Sequence, residues 1–340
     1  MSTMESELPT GNCKVFQLHL HPNMHVHRDI DRLPSFRNAV ITIGTFDGVH
    51  LGHRKIIEQL KSVASSIQGE TVIVTFHPHP RKILKEGQSP VPLITTIEER
   101  IELLKDAGID HLVITPFTEA FSKISATDYV EQFLVAKFQP HTVIIGYDHH
   151  FGEGRKGNFQ LLLQYNQRGI FDLKEIPAHQ LDQNLVSSTS IRKAVAAGHI
   201  KEANDLLGYP FFFEGKVIHG NKIGRTLGYP TANLSIENEE KLEPGLGIYA
   251  VKASILSNNQ QQQKPLPLYH GMMSIGIRPT IGGTNKVIEV NLFDFNEDIY
   301  GKTMRVFVCD YLRPEVKFSG LEALQKQLDE DKKQSIQRLR

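Results

Sequence analysis

Residues 44–53 read Gly-Thr-Phe-Asp-Gly-Val-His-Leu-Gly-His and follow the apolar run 39–43. His50 and His53 stand three apart. If residues 54–60 continue as a helix, both rings lie on one face of its first turn. Two imidazoles beside the open backbone N–H groups of a helix N-terminus suit an anion such as a phosphate chain. The plain alternative is a turn that happens to carry two histidines. The order of strand, glycine turn and helix favours the anion site. A metal centre is the weaker reading. Ligand pairs on helices commonly stand at i, i+4, and the His-Glu-x-x-His form of zinc proteases is absent. Cys13 and Cys309 have no close partner in sequence that would complete a thiolate cluster.

Further polar groups follow other apolar runs. Phe76-His-Pro-His-Pro comes after residues 71–76, Gly146-Tyr-Asp-His-His-Phe-Gly after 141–145, and Ser187-Ser-Thr-Ser-Ile-Arg opens a helical pattern. Hydroxyls and an arginine at a helix N-terminus suit nucleotide phosphates; Ser188 or Thr189 could instead be a simple N-cap. Gly152-Glu-Gly-Arg-Lys-Gly157 fits the dinucleotide fingerprint but falls after the fourth strand rather than in the first βαβ unit. It is expected to be a mobile glycine-rich loop.

In the second half, Gly220-Asn-Lys-Ile-Gly-Arg-Thr-Leu-Gly-Tyr-Pro-Thr-Ala-Asn233 is not a Walker loop. Gly220, Lys222, Gly224 and Arg225 could still wrap phosphates, and Thr231 and Asn233 offer hard oxygens suited to Mg2+. Glu289 lies among β-formers. It is either an ordinary outward-facing carboxylate or, aimed into a site, a general base for a hydroxyl attacking phosphorus.

The elements that must position these groups have two rhythms. Strand-like runs at 39–43, 71–76, 111–115, 141–145 and 171–176 alternate with helical patterns at 50–67, 96–107, 127–138 and 158–168. Thr96 and Glu99 make a capping box. Such alternation predicts a parallel sheet covered by helices, with ligands at the carboxyl ends of its strands. After Gly208-Tyr-Pro, strands follow one another at 211–218, 248–256, 269–275, 287–295 and 304–312, and a helix closes the chain at 321–339. That half is expected to be an antiparallel barrel or sandwich, with a solvated hairpin tip at Gln260–Gln263. The division predicted is 1–205 and 206–340.

Lys plus Arg equals Asp plus Glu at 38 each, so nothing points to bulk nucleic acid or an anionic membrane. No stretch approaches the ~20 apolar residues of a membrane helix. The first residues, without a basic n-region or long apolar run, are not expected to be a signal peptide, and two lone cysteines do not suggest a secreted disulfide scaffold. A cytoplasmic location is expected. His19, His21, His25 and His27 form a segment with no evident role.

Taken together, 44–53, 187–192, 220–233, Gly276-Ile-Arg-Pro-Thr280 and Tyr311-Leu-Arg-Pro-Glu-Val-Lys-Phe318 resemble the bacterial bifunctional riboflavin kinase/FMN adenylyltransferase (FAD synthetase) family over about residues 36–333. The resemblance implies a Rossmann-like nucleotidyltransferase sheet followed by an antiparallel riboflavin-kinase barrel closed by the C-terminal helix. It implies riboflavin, FMN and ATP as small-molecule substrates, FAD as product and Mg2+ as cofactor. In the first module Gly44, Phe46 and Asp47 would belong to the ATP site. His50 and His53 would hold the phosphates there, and Ser188, Thr189 and Arg192 would grip the same nucleotide. Asp148 would orient FMN or ATP. In the second, Thr231 and Asn233 would bind Mg2+-ATP, Glu289 would activate the ribityl hydroxyl, and Arg313 would belong to a flap over the flavin. His149-His150, Ser274 and Asn291 depart from the family pattern, where Phe-Arg, Asn and His are usual. Two other classes stay open: an adenylyltransferase for a different phosphate or acid, and a non-catalytic flavin-binding regulator.

Overall fold

The computed structural model describes residues 24–84, 91–176, 186–220, 223–256, 266–280 and 283–340. Cys13, His19, His21, Lys222 and the run 260–263 lie outside the described residues. Two compact units are present. One ends at Arg192 and takes in Glu240–Leu242; the other comprises Lys193–Glu239 and Glu243–Arg340.

The first unit is a six-stranded parallel sheet. Its strands are β1 His25–His27, β2 Val40–Ile43, β3 Thr71–His77, β4 His111–Pro116, β5 Thr142–Gly146 and β6 Asp172–Ile176. All four residues of β2, Val-Ile-Thr-Ile, are buried, as a central strand covered on both faces requires. The spatial order is β1-β4-β3-β2-β5-β6, so the winding reverses between β2 and β5. A doubly wound sheet opens its ligand crevice at such a switch point. The helix Leu51–Ser66 starts there, directly after β2. Residues 127–138, expected as one α-helix, contain a π-helical stretch at Tyr129–Val135. It turns Tyr129, Val130, Phe133 and Leu134 into the core.

The second unit is a closed antiparallel barrel with strand order β10-β11-β8-β7-β12-β9. Its members are β7 Phe212–Ile218, β8 Ala232–Ser235, β9 Gly247–Leu256, β10 Tyr269–Thr280, β11 Gly283–Leu292 and β12 Thr303–Arg313. The helix Leu321–Leu339 lies on β9, β10 and β12. The compact units part at Arg192, against an expected boundary at 205. The helix Ile200–Leu207 packs on the barrel. There Asn204 Nδ2 donates to Val308 O at 2.9 Å and Asn204 Oδ1 accepts from Phe211 N–H at 2.7 Å. An amphipathic pattern does not say which sheet a helix covers.

Candidate active sites

Between β2 and its helix the chain turns through Phe46, Gly48 and Val49, all at positive φ. This tight turn, placed at the switch point, buries Asp47 completely. His50 is the N-cap: its Nδ1 accepts from His53 N–H at 3.4 Å, which leaves the ring proton on Nε2. The His50 and His53 rings stack at 3.7 Å between centroids, and Phe46 packs on His53 at 4.8 Å. Burial, opposed by Asp47 and reinforced by Arg192, drives the His50 pKa down to about 4. Burial and the neighbouring His50 and Arg100 hold His53 well below the ordinary value. Both rings are therefore neutral at pH 7. Nδ1 of His53 is buried without a hydrogen-bond partner among the described residues.

The helix Ser188–Ala196 meets the same turn. Ser188 Oγ donates to Asp47 O at 3.1 Å, and Arg192 Nη2 donates to Asp47 Oδ2 at 2.5 Å. Arg192 Nε also binds Pro92 O at 2.8 Å. Asp47 further accepts from the N–H groups of Ile94 and Thr95 at 3.2 and 2.9 Å. Desolvation alone would raise its pKa; Arg100, Arg192 and these N–H groups outweigh it and hold the carboxyl below its usual range. Asp47 and Arg192, both expected at the ATP site, pair with each other beneath the turn. Ser187, rather than Ser188 or Thr189, caps the helix, its Oγ accepting from Ser190 N–H at 3.1 Å. Thr189 is exposed.

His79, after β3, feels the charges of Asp47, Arg192 and Arg100, so this loop joins the cluster; burial first brings its pKa to about 4. Asp148, after β5, is exposed. The glycine-rich run beyond it is an ordered loop closed by paired backbone bonds between Phe151 and Gly157 at 2.9 and 3.1 Å. A Cβ at Gly157 would enter the Phe151 ring, and one at Gly152 would strike the backbone of Ala126. Those glycines answer to packing, not to a dinucleotide.

In the barrel, register brings Ser274 opposite Glu289 and Glu289 opposite Asn233, one row across β10, β11 and β8. Ile288 and Val290 turn into the core, so Glu289 faces the other way, 29 % exposed. On that face Thr231 Oγ1 donates to Glu289 Oε1 at 3.4 Å, and Arg278 Nη2 lies 3.7 Å from Oε2. Glu289 is thus outward-facing but not isolated. The amide of Asn233 occupies the space a Cβ at Gly220 would need, and a Cβ at Gly224 would meet Tyr229 O. Arg225 is exposed, and Asn291 Nδ2 donates to Pro230 O at 2.7 Å, supporting the turn before Thr231.

Arg313, expected in a flap over the flavin, grips Asp331 of the terminal helix side-on, Nε–Oδ1 2.8 Å and Nη2–Oδ2 2.6 Å. The carboxylate of Glu315, just beyond, pairs with Arg278 and sits where Gly276 has no Cβ.

A family model for FAD synthetase matches residues 33–190, and one for riboflavin kinase matches 207–339. A bifunctional riboflavin kinase/FMN adenylyltransferase from Listeria monocytogenes is 38% identical over 86% of this chain and 90% of its own. Those from Bacillus subtilis and Escherichia coli K12 are 35% and 33% identical, over 88% and 86% of this chain and 92% and 90% of theirs. The chain belongs to the bifunctional riboflavin kinase/FMN adenylyltransferase family. A crystal structure described as a macrolide-efflux protein from Streptococcus pneumoniae has the same two-unit fold, with a TM-score of 0.81 and 30% identity over 92% of this chain and 98% of that one. Among the described residues here, no helix is long and apolar enough to cross a membrane.

Sequence reasoning for this family member passed over Arg278 and Glu315, although both lie inside motif segments it singled out. Charge complementarity between those two segments was the available signal. It also passed over Thr95 and Arg100, which meet Asp47, and Lys241, which holds Ile94 and Glu99; none of these has a local pattern.

Proposed function

We propose that the chain carries both activities named for its relatives, phosphorylating riboflavin to FMN in the barrel unit and adenylylating FMN to FAD in the parallel-sheet unit. The observation that carries this reading is the pair of neutral, stacked imidazoles at a helix N-terminus on the switch point of the sheet. It sits in one unit, and the Thr231–Glu289–Asn233 group sits in the other.

In the sheet unit a phosphate oxygen of FMN attacks the α-phosphorus of ATP, and the bond to the β-phosphate breaks. Nε2–H of His50 and His53, with the N–H groups of the first helical turn, hold the phosphates and meet the charge that gathers on departing pyrophosphate. Gly44 and Phe46 shape the turn under the nucleotide. Arg192 and Asp47 fix that turn from inside, and Ser188 ties it to its neighbouring helix. Thr189 is left facing out as a direct phosphate donor, and Asp148 is exposed to contact FMN.

In the barrel unit Glu289 takes the proton of the ribityl hydroxyl as its oxygen attacks the γ-phosphorus, and ADP leaves. Gly220, Gly224 and Arg225 line the phosphates; Lys222, in the same sequence run, shares this role. Thr231 and Asn233 set neutral oxygens beside the Glu289 carboxylate, a hard donor set that fits Mg2+ bound jointly with phosphate oxygens. When bound, that ion neutralises phosphate charge. Among the described residues no cluster of three His, Cys, Asp or Glu forms a metal cage, which suits an ion held mainly by its nucleotide. Arg313 holds the flap segment by anchoring it to the terminal helix. A cytoplasmic location, where ATP is at hand, goes with this reading.

Incubation with riboflavin, ATP and Mg2+ followed by chromatography should yield FMN, ADP, FAD and pyrophosphate. Adenylylation of pantetheine phosphate or nicotinate mononucleotide in place of FMN would replace the sheet-unit assignment. Excess EDTA should stop both reactions, and undiminished FMN formation would remove Thr231 and Asn233 from their role.

A further inference from the structure

Residues 240–242 follow β8 in the chain, yet they belong to the compact unit of the parallel sheet. Backbone seats them there: Leu93 N–H donates to Glu240 O at 2.6 Å and Leu242 N–H to Leu93 O at 2.7 Å. Between these bonds Lys241 Nζ turns inward, donating to Ile94 O at 2.7 Å and to the Glu99 carboxylate at 2.5 Å. The Lys241 and Glu99 side chains are 2% and 4% exposed. A lysine so deeply buried needs a carboxylate close by, and removing either member of such a pair is costly.

The segment gripped in this way, 92–96, is also what holds the histidine turn. Ile94 and Thr95 donate their N–H groups to Asp47, and Thr95 Oγ1 accepts from Gly48 N–H at 3.0 Å. Pro92 O holds Arg192 against the same carboxylate. Glu99 closes the capping box on Thr96. Segment 92–96 is therefore pinned by Lys241 on one side and pins the 44–50 turn on the other.

We propose that Lys241 is a positioning residue for adenylyl transfer, acting through segment 92–96 on the turn that sets His50 and His53. A residue beyond β8 would then be required by chemistry of the sheet unit. This rests on the reading of the histidine site as the adenylyl-transfer centre.

The test uses the full chain. In Lys241→Met, kcat for FAD formation from supplied FMN should fall about 10- to 100-fold with KM for ATP changed much less, while FMN formation from riboflavin stays within about twofold. Adding Glu99→Gln, which keeps a residue competent for the capping box but removes the buried carboxylate charge that Lys241 had balanced, should recover most of that loss. Hydrogen exchange at the Ile94 and Thr95 amides should quicken in the single variant and slow again in the double. If Lys241→Met does not accumulate folded, Lys241→Gln carries the same readouts. A wild-type chain that makes no FAD would sink the reading of the site. A wild type that makes FAD beside a variant with equal rate and equal amide protection would overturn the proposal. Parallel loss of both activities in folded variant, or no recovery in the double, would overturn it too.

Discussion

His50 caps its helix through Nδ1, and only a neutral ring can accept there. Its lowered pKa and its capping bond are two views of one buried geometry. The sign of the pH effect follows. In the folded chain His50 titrates at about 4, in the unfolded chain near 6.5, so between those values the unfolded state binds more protons. Stability should be full above pH 6.5 and fall as pH drops towards 4, by about 2–3 kcal/mol from this ring. Urea unfolding midpoints at pH 7 and pH 5 read it directly, and His50→Gln should flatten part of the slope. At the chemical level, His53→Ala should cut FAD formation about 10²–10³-fold and let FMN accumulate from riboflavin. Glu289→Ala should do the reverse, a loss of about 10²–10⁴-fold in FMN formation with FAD still made from supplied FMN. Both rates are compared after circular dichroism shows the variants folded.

At the scale of elements, the terminal helix does more than close the barrel. Asp331 is buried and holds Arg313 by two bonds, while Asp329 on the same helix takes the Tyr229 hydroxyl from the glycine-rich run. Asp331→Ala leaves a guanidinium without its carboxylate, and removing one partner of a buried pair costs about 3–5 kcal/mol. Thermal unfolding should therefore shift downward, FMN formation should drop and FAD formation from FMN should persist; an unchanged melting curve would deny the anchor. The strands of the parallel sheet were plain in the sequence, since 40–43 and 71–76 are short continuous β-branched runs bounded by polar turns. β8 was hidden because Ala232–Ser235 is short and lies within the phosphate motif. β1 was hidden because its three residues carry two histidines. The histidine pair was legible as local spacing, and Thr231 with Asn233 as one motif. The pairings of Glu289 with Thr231 and Arg278, of Glu315 with Arg278, of Arg313 with Asp331 and of Lys241 with Glu99 were not, because each joins residues that no short window of sequence contains.

For the whole molecule, the two units make unequal predictions about separation. A fragment spanning Lys193–Arg340 keeps all six barrel strands with the helix Ile200–Leu207, and should fold and phosphorylate riboflavin. A soluble, folded fragment that made no FMN would count against the barrel assignment. A fragment ending at residue 205 keeps the whole parallel sheet but lacks Lys241, leaving Glu99 buried without that lysine. It should unfold at lower urea than the sheet unit of the intact chain and make FAD poorly. The excursion of Glu240–Leu242 also sets a clock during synthesis. The sheet strands have all emerged by Ile176 and their last helix reaches Arg192, yet the piece that completes them arrives about 50 residues later. At about 5–20 residues per second that is a wait of roughly 3–10 s on the ribosome. For that interval the nascent sheet carries Glu99 without Lys241, and final setting of the histidine turn must follow the emergence of β8.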